Sequence, residues 1–308
     1  ADMQIQPEDV NPEIFRKAKA LLITGTGLST SSMREATRQA VRTAKESGCF
    51  VILDIDFRPV LWGLTDAGDG ETRFVASATV TREIQPFLSE LDLIVGTEEE
   101  IMIAGGEKTI EKSLSSIRSS SSATVVLKRG AEGCMVYAAD SKSPVSARSF
   151  KIEVMNVLGA GDSFMSGFLR GWLKNESLEK CALYGNACGA LVVTRHGCSP
   201  SSPSFAELEH FISNYNKVPN LAYHPKMNHL HSLTEFGMPR NRELLILAFD
   251  HRKNFEESCR KMDLPQEKIS RFKELVHRGF QSASQTTKQN NLAILIDQKY
   301  GKKILNDS

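Results

Sequence analysis

Apolar positions fall along the chain in two rhythms. Uninterrupted apolar runs at residues 20–24, 50–55, 91–95 and 124–128 predict strands buried on both faces. Between them, apolar residues recur at helical spacing over 33–45, and 84–88 predicts a shorter helix. Strands that alternate with helices in this way predict an α/β fold, a parallel sheet sandwiched by helices. Ligands of such sheets gather beyond the carboxyl ends of the strands. Residues 130–139 and 146–154 mix Gly, Tyr, Val and Phe with turn formers, and predict short antiparallel strands near the sheet edge. Helices are predicted over 162–174 and 178–193, and the serine-rich stretch 115–122 reads as a surface loop.

The pattern fades over 217–242, where three prolines and no sustained period predict a linker. The expected organisation is a first domain at 1–221, a linker at 222–242 and a second segment at 243–308. That segment contains a strand at 244–249, a helix near 267–281 and a strand at 292–297. One such β-α-β unit buries too little to stand as an independent α/β domain, so it reads as the opening of a domain whose remainder is absent. His224, His229 and His231 lie in the linker without a cysteine or carboxylate at ligand spacing, which predicts solvated histidines.

Composition narrows the choice of partners. The 308 residues carry 38 Lys plus Arg against 37 Asp plus Glu, so no bulk field recruits nucleic acid or an anionic membrane. Six scattered cysteines without a Cys-x-x-Cys pair predict reduced thiols in a cytoplasmic protein. No apolar run reaches the roughly 18–20 residues that a spanning helix needs, and the N-terminus has no signal-peptide pattern. The chain begins with Ala1 in place of an initiator methionine, which predicts missing upstream sequence.

The candidate chemistry sits at Asn156-Val157-Leu158-Gly159-Ala160-Gly161-Asp162, after an extended segment and before a helix. Glycines there let the backbone turn sharply and aim N–H groups outward, and the helix dipole adds positive charge at the same point. Phe164, Phe168 and Trp172 give that helix a buried stripe, and Gly167 and Gly171 keep one side thin. Asp162 has two readings on these grounds: an acid favoured by the dipole, or a general base beside an anion pocket. A dinucleotide fingerprint fails because position 164 is Phe and helices follow, and a Walker A loop fails for want of Gly-Lys-Ser/Thr.

The run NVLGAGDSFMSGFLRGWL resembles the signature of the ribokinase-like (PfkB) carbohydrate kinases. Four further segments are similar to marks of that family, in its order. They are Asp54-Ile55-Asp56-Phe57-Arg58-Pro59, Thr97-Glu98-Glu99-Glu100, Lys128-Arg129-Gly130-Ala131-Glu132-Gly133, and the stretch from Asn186 to Gly197. The resemblance implies ATP and Mg2+ as cofactors and a sugar hydroxyl as acceptor. It implies Asp162 as general base, the amides of Gly159, Ala160 and Gly161 as an anion hole, and Glu100 near the metal. Lys128, Gly130, Gly133, Asn186 and Gly197 would line the nucleotide, and Asp54, Asp56 and Arg58 the acceptor. For Arg58 a surface pair with Asp54 or Asp56 stays open.

Asn156-Val157-Leu158, Gly96-Thr97-Glu98-Glu99-Glu100 and a later LAFDHR narrow the resemblance to members that phosphorylate 5-dehydro-2-deoxygluconate in myo-inositol catabolism, fused to an aldolase-like barrel. The alternatives are another acceptor, such as 2-keto-3-deoxygluconate or fructose, or a non-catalytic nucleotide-binding fragment. Asn156 and Val157 replace the family's usual Asp-Thr, and Thr97 its usual Asn, so cation details are left open. The family's first strands, substrate motif and lid have no counterpart here, so the chain alone is expected to phosphorylate sugar poorly. A homo-oligomer of the full-length protein is compatible with the resemblance. The Schiff-base lysine of aldolase barrels belongs to a late strand, so the second segment is not expected to act as an aldolase.

Overall fold

The computed structural model describes residues 4–66, 75–141, 143–232, 245–287 and 292–307. The chain divides into two compact units, Ala1–Glu235 and Phe236–Ser308.

The first unit is built on a six-stranded sheet whose spatial order follows the sequence. β1 (Ala20–Thr24), β2 (Phe50–Asp54), β3 (Leu93–Thr97) and β4 (Thr124–Lys128) are parallel, and β5 (Cys134–Tyr137) and β6 (Val145–Ser146) add an antiparallel edge. The central strands are apolar throughout because helices cover both faces. A brief α1 (Pro12–Phe15) precedes β1. On one face lie α2 (Ser31–Glu46), α3 (Ala78–Ile84), α4 (Glu98–Gly105) and α5 (Ile110–Ser120), and their core includes Leu28, Val41, Ile84, Ile101 and Ile117. On the other lie α6 (Ala160–Trp172) and α7 (Leu178–Val192), where Phe164, Met165 and Phe168 pack on Ile52, Leu93 and Val126. α6 and α7 approach closely because a Cβ on Gly167 would lie 2.6 Å from the Tyr184 carbonyl oxygen, and one on Gly171 2.9 Å from Cys181 Sγ.

Three sequence expectations are corrected. Residues 115–120, read as a loop, belong to α5, which Thr109 caps by accepting from the Lys112 amide at 3.4 Å. Its serines face α4: a Cβ on Gly105 would stand 2.5 Å from the Ser113 Cα, and Ser116 Oγ donates to the Gly105 carbonyl at 2.7 Å. Serines here make a close helix contact, which composition alone disguises as a loop. Of the second predicted edge strand, 146–154, only Ser146 pairs, as the end of Val145–Ser146, while 147–154 runs as irregular chain. The predicted linker at 222–242 is folded over its first part. α8 (Phe205–Asn214), a 3-10 turn at Leu221–Tyr223 and α9 (Pro225–Ser232) follow α7, and Leu221, Ala222 and Met227 are buried with Phe211 and Leu191. Residues 233–242 lie outside the described residues.

His231 is likewise held in place. Its Nδ1 lies 3.2 Å from Glu207 Oε2 and 3.0 Å from an Arg195 nitrogen. Glu207 is fully buried and accepts from Arg195 at 2.6 Å and from the Ser204 amide at 2.8 Å. α9 is therefore tied to α8 and the loop after α7 by a buried charge network that no local periodicity reveals. Burial pushes the Cys134 and Cys188 thiols up to about 12, so they stay protonated and serve as packing groups.

In the second unit, β7 (Leu245–Phe249) and β8 (Leu292–Ile296) pair in parallel. α10 (Lys253–Lys261) and α11 (Glu267–Thr287) connect them, and α12 (Gln298–Asp307) follows β8. The helices α10 and α12 were not anticipated from periodicity. Leu244, the first residue of the predicted strand, lies outside the described residues. Lys273 on α11 is fully buried at the carboxyl ends of both strands, donating to the Phe249 and His251 carbonyls at 2.8 and 2.9 Å and pairing with Asp297. No helix among the described residues is long and apolar enough to cross a membrane.

Candidate active site

Parallel register brings the ends of β2, β3 and β4 level, with Asp54 opposite Val95 and Thr97 opposite Lys128. Three charged side chains converge above them. Lys128 Nζ reaches across β3 to Asp54 Oδ1 at 3.1 Å, and stands 3.8 Å from Glu100 Oε2. All three are nearly buried, with side-chain exposures of 14% for Lys128, 8% for Asp54 and 12% for Glu100. Burial pushes the Asp54 carboxyl up to about 6; the Lys128 ammonium opposes that shift and the Glu100 charge adds to it. Burial alone would lower the Lys128 pKa, but the carboxylates of Asp54 and Glu100 outweigh it and hold the ammonium above its ordinary value. At neutral pH the site thus keeps one buried cation between two acids.

Glu100 is fixed from the backbone. It closes a capping box at the start of α4, accepting from the Thr97 amide at 2.7 Å while Thr97 Oγ1 accepts from the Glu100 amide at 3.3 Å. Its other oxygen accepts from the Phe57 amide at 3.0 Å, tying the chain after β2 to α4. Both carboxylate oxygens are therefore engaged. Among the described residues no group of three or more His, Cys, Asp or Glu could enclose a metal. The arrangement fits a hydrated magnesium shared with phosphate oxygens, with Glu100 holding its waters, better than an all-protein cage.

Facing this cluster is the N-terminus of α6. Gly159 caps the helix with φ +80°, and a Cβ there would lie 2.5 Å from Cys198 Sγ. Asn156 braces the turn, accepting from the Leu158 amide at 3.0 Å and donating to the Gly197 carbonyl at 3.2 Å. The Ala160 amide donates to the Val157 carbonyl at 3.2 Å and is already spent, which removes it from the expected trio of anion-hole donors. Among the described residues the amides of Gly159, Gly161 and Asp162 have no acceptor, so the outward donors are Gly159, Gly161 and Asp162. Asp162 is exposed in the first turn, with Oδ2 4.0 Å from Cys198 Sγ. Gly161 completes the link between the two halves of the site. The nearest atom to a Cβ built there is Lys128 Nζ, at 3.8 Å.

The other candidates divide into two groups. Gly130 and Gly133 both have positive φ, at +55° and +85°, and a Cβ on Gly133 would meet Asn186 Nδ2 at 2.8 Å. Asn186 is buried on α7 and donates to the Ala147 and Arg148 carbonyls at 3.3 and 3.1 Å, which leaves its Oδ1 without a partner among the described residues. Gly197, at φ +102°, belongs instead to the loop that packs on the Gly159 turn. Arg58 is half-exposed and pairs with Asp56 at 3.2 Å. Asp54 was expected to contact an acceptor and is engaged by Lys128. Sequence reasoning missed the Phe57 amide on Glu100, the Cys198 contact with Gly159, and the Arg195–Glu207 pair at the base of the 195–201 loop. None has a spacing signal, because each joins segments far apart in the chain.

Residues 1–204 match the family described as pfkB family carbohydrate kinase, and residues 207–308 match one described as an uncharacterized protein conserved in bacteria (DUF2090). The 5-dehydro-2-deoxygluconokinase of Bacillus licheniformis is 32% identical over 217 residues, which make up 69% of this chain and 62% of that protein. The enzyme of the same name from Bacillus subtilis is 32% identical over 216 residues, 69% of this chain and 62% of that protein. The chain thus spans about three-fifths of the length of these curated relatives. Among solved structures, a fructokinase from Vibrio cholerae with fructose, ADP and calcium bound superposes with a TM-score of 0.58 at 26% identity, covering 69% of this chain and 66% of that one. The aminoimidazole riboside kinase of Salmonella enterica superposes at 0.57 and 22% identity over 69% of this chain and 68% of that one, a likeness of fold alone.

Proposed function

The chain belongs to the pfkB family of carbohydrate kinases, and from that premise we propose that it supplies the nucleotide-binding and phosphoryl-transfer half of an ATP-dependent kinase. The acceptor proposed is 5-dehydro-2-deoxygluconate, the substrate in the names of its curated relatives, which would put the reaction in myo-inositol catabolism in the cytoplasm. The observation that carries the reading is the N-terminus of α6. Unpaired amides at Gly159, Gly161 and Asp162 converge at the positive end of a 13-residue helix, with an exposed carboxylate in its first turn.

In the proposed step, the acceptor hydroxyl oxygen bonds to the terminal phosphorus of ATP, its proton passes to the Asp162 carboxylate, and the bond from phosphorus to the ADP oxygen breaks. The unpaired amides stabilise charge on the transferred group, and because they are fixed by the helix they need no reorganisation. Magnesium bound with ATP would neutralise phosphate charge, and Glu100 is the carboxylate that would hold its waters. Asn186 is buried beside Gly133, so its proposed part is to shape the wall of the nucleotide site from behind the Gly130–Gly133 turn. The second unit is read as aldolase-like.

The test is a coupled ADP-release assay with ATP, magnesium and 5-dehydro-2-deoxygluconate, run with 2-keto-3-deoxygluconate and fructose as rival acceptors. It is run on the chain and on a longer polypeptide of the length of its curated relatives. If all three acceptors fail with the longer polypeptide, the kinase reading is wrong. If a rival exceeds the proposed acceptor, only the substrate assignment is lost.

A further inference from the structure

We infer that Lys128 is the cation that faces the terminal phosphate of the nucleotide, and that Asp54 is the positioning residue that holds it there and is not an acceptor ligand. The inference rests on the phosphoryl-transfer reading and specifies how its site is charged.

Gly161 is the starting point. Its φ lies outside the positive range, so its backbone does not require glycine. A Cβ there would clash with nothing: the single neighbour within 4 Å is Lys128 Nζ, at an ordinary contact distance of 3.8 Å. What the glycine keeps open is the space between its own unpaired amide and the lysine ammonium. An anion seated on the Gly161 and Asp162 amides lies in that space, within reach of the charge. Two donors of different kind, a helix N-terminus from α6 and an ammonium from β4, thus converge on one point.

Lysine offers a flexible point charge with three donors and must be steered to act at a fixed place. The steering comes from Asp54, 3.1 Å from Nζ, with Glu100 at 3.8 Å on the next element. Neither carboxylate can take up all three ammonium hydrogens in these contacts, and the remaining donor capacity points to the opening at Gly161. An Asp54 so engaged and only 8% exposed is poorly placed to meet a sugar hydroxyl. The lysine forms and breaks no covalent bond. It supplies positive charge where the terminal phosphoryl lies, while the proton and leaving group follow the route through Asp162 and ADP.

A cation at the terminal phosphate should separate a nucleoside triphosphate from a diphosphate. The experiment is isothermal titration calorimetry of the chain with magnesium and either AMP-PNP or ADP. Lys128→Met is expected to weaken AMP-PNP binding by about tenfold or more, the loss of one hydrogen bond to a charged group, while ADP affinity changes less than about twofold. Because this variant leaves Asp54 as a buried unpaired acid, the double variant Lys128→Met/Asp54→Asn is measured beside it, with the same expectation. Asp54→Asn alone should lower the AMP-PNP preference part of the way without touching ADP. An unchanged AMP-PNP to ADP ratio in both lysine variants overturns the inference and leaves the kinase reading standing. An Asp54→Asn that keeps the ratio while losing acceptor affinity returns Asp54 to the acceptor. A parent chain that binds neither nucleotide overturns the kinase reading itself.

Discussion

Gly159 and Gly161 share one turn and one motif, yet the structure gives them opposite requirements, and alanine at each separates shape from access. At Gly159 the backbone is left-handed, with φ +80°, which costs an L-residue about 1–2 kcal/mol. The new methyl would also stand 2.5 Å from Cys198 Sγ and 3.3 Å from its Cα, so the 195–201 loop must shift, at an overpacking cost of about 1–3 kcal/mol. Gly159→Ala should therefore destabilise the first unit by about 2–5 kcal/mol, or roughly 4–20 °C in Tm for a unit of this size. At Gly161 neither penalty exists. Removing a helical glycine is worth up to about 1 kcal/mol in the favourable direction, less at the helix end, so Gly161→Ala should keep or slightly raise Tm. Its methyl would sit between the helix amide and Lys128, where the phosphate is proposed to bind. Nucleotide affinity should fall by about tenfold or more in a protein as stable as its parent. Differential scanning calorimetry and nucleotide titration on both variants make the comparison. A Gly161→Ala that binds ATP like the parent would refute the placement of the phosphate, and a Gly159→Ala with unchanged Tm would refute the account of the turn.

Other consequences are open to measurement. Asp162→Asn should cut phosphoryl transfer by about 10²–10⁴-fold while leaving ATP binding near the parent value, read by steady-state kinetics and calorimetry. Asp54 retains its proton up to about pH 6 when folded, against 3.8 for an ordinary aspartate. Protons then favour the folded state, so this group makes stability decline as pH rises from roughly 4 to 6. Urea midpoints across that window should show the slope in the parent and a flatter one in Asp54→Asn. Glu207→Gln leaves Arg195 without its buried carboxylate and should destabilise the first unit by about 3–5 kcal/mol, seen as a lowered urea midpoint.

The glycine turn before α6 was legible in the sequence because its parts are local. A glycine turn before an amphipathic helix is read directly from residues 156–172, and the free donors follow from helix geometry. Thr97 and Glu100 form a capping box at a spacing visible in the chain. Asp54 and Lys128 are different, since their pairing depends on strand register across β3, which the sequence does not encode at any short spacing.

What the chain alone determined is the set of local commitments: which runs are apolar enough to be buried as strands, where a helix must start, and which turn can present bare amides. Distance-dependent interactions were left to tertiary structure. Only the assembled sheet brings a lysine on β4 to an aspartate on β2. Only packing shows that 221–232 folds back within the first unit through Met227 and the His231–Glu207 contact, and that the serines of α5 allow a close helix contact. Hydrophobic rhythm reports a segment's own conformation. Charge pairing and steric clearance are properties of neighbours, and the neighbours exist only once the chain has folded.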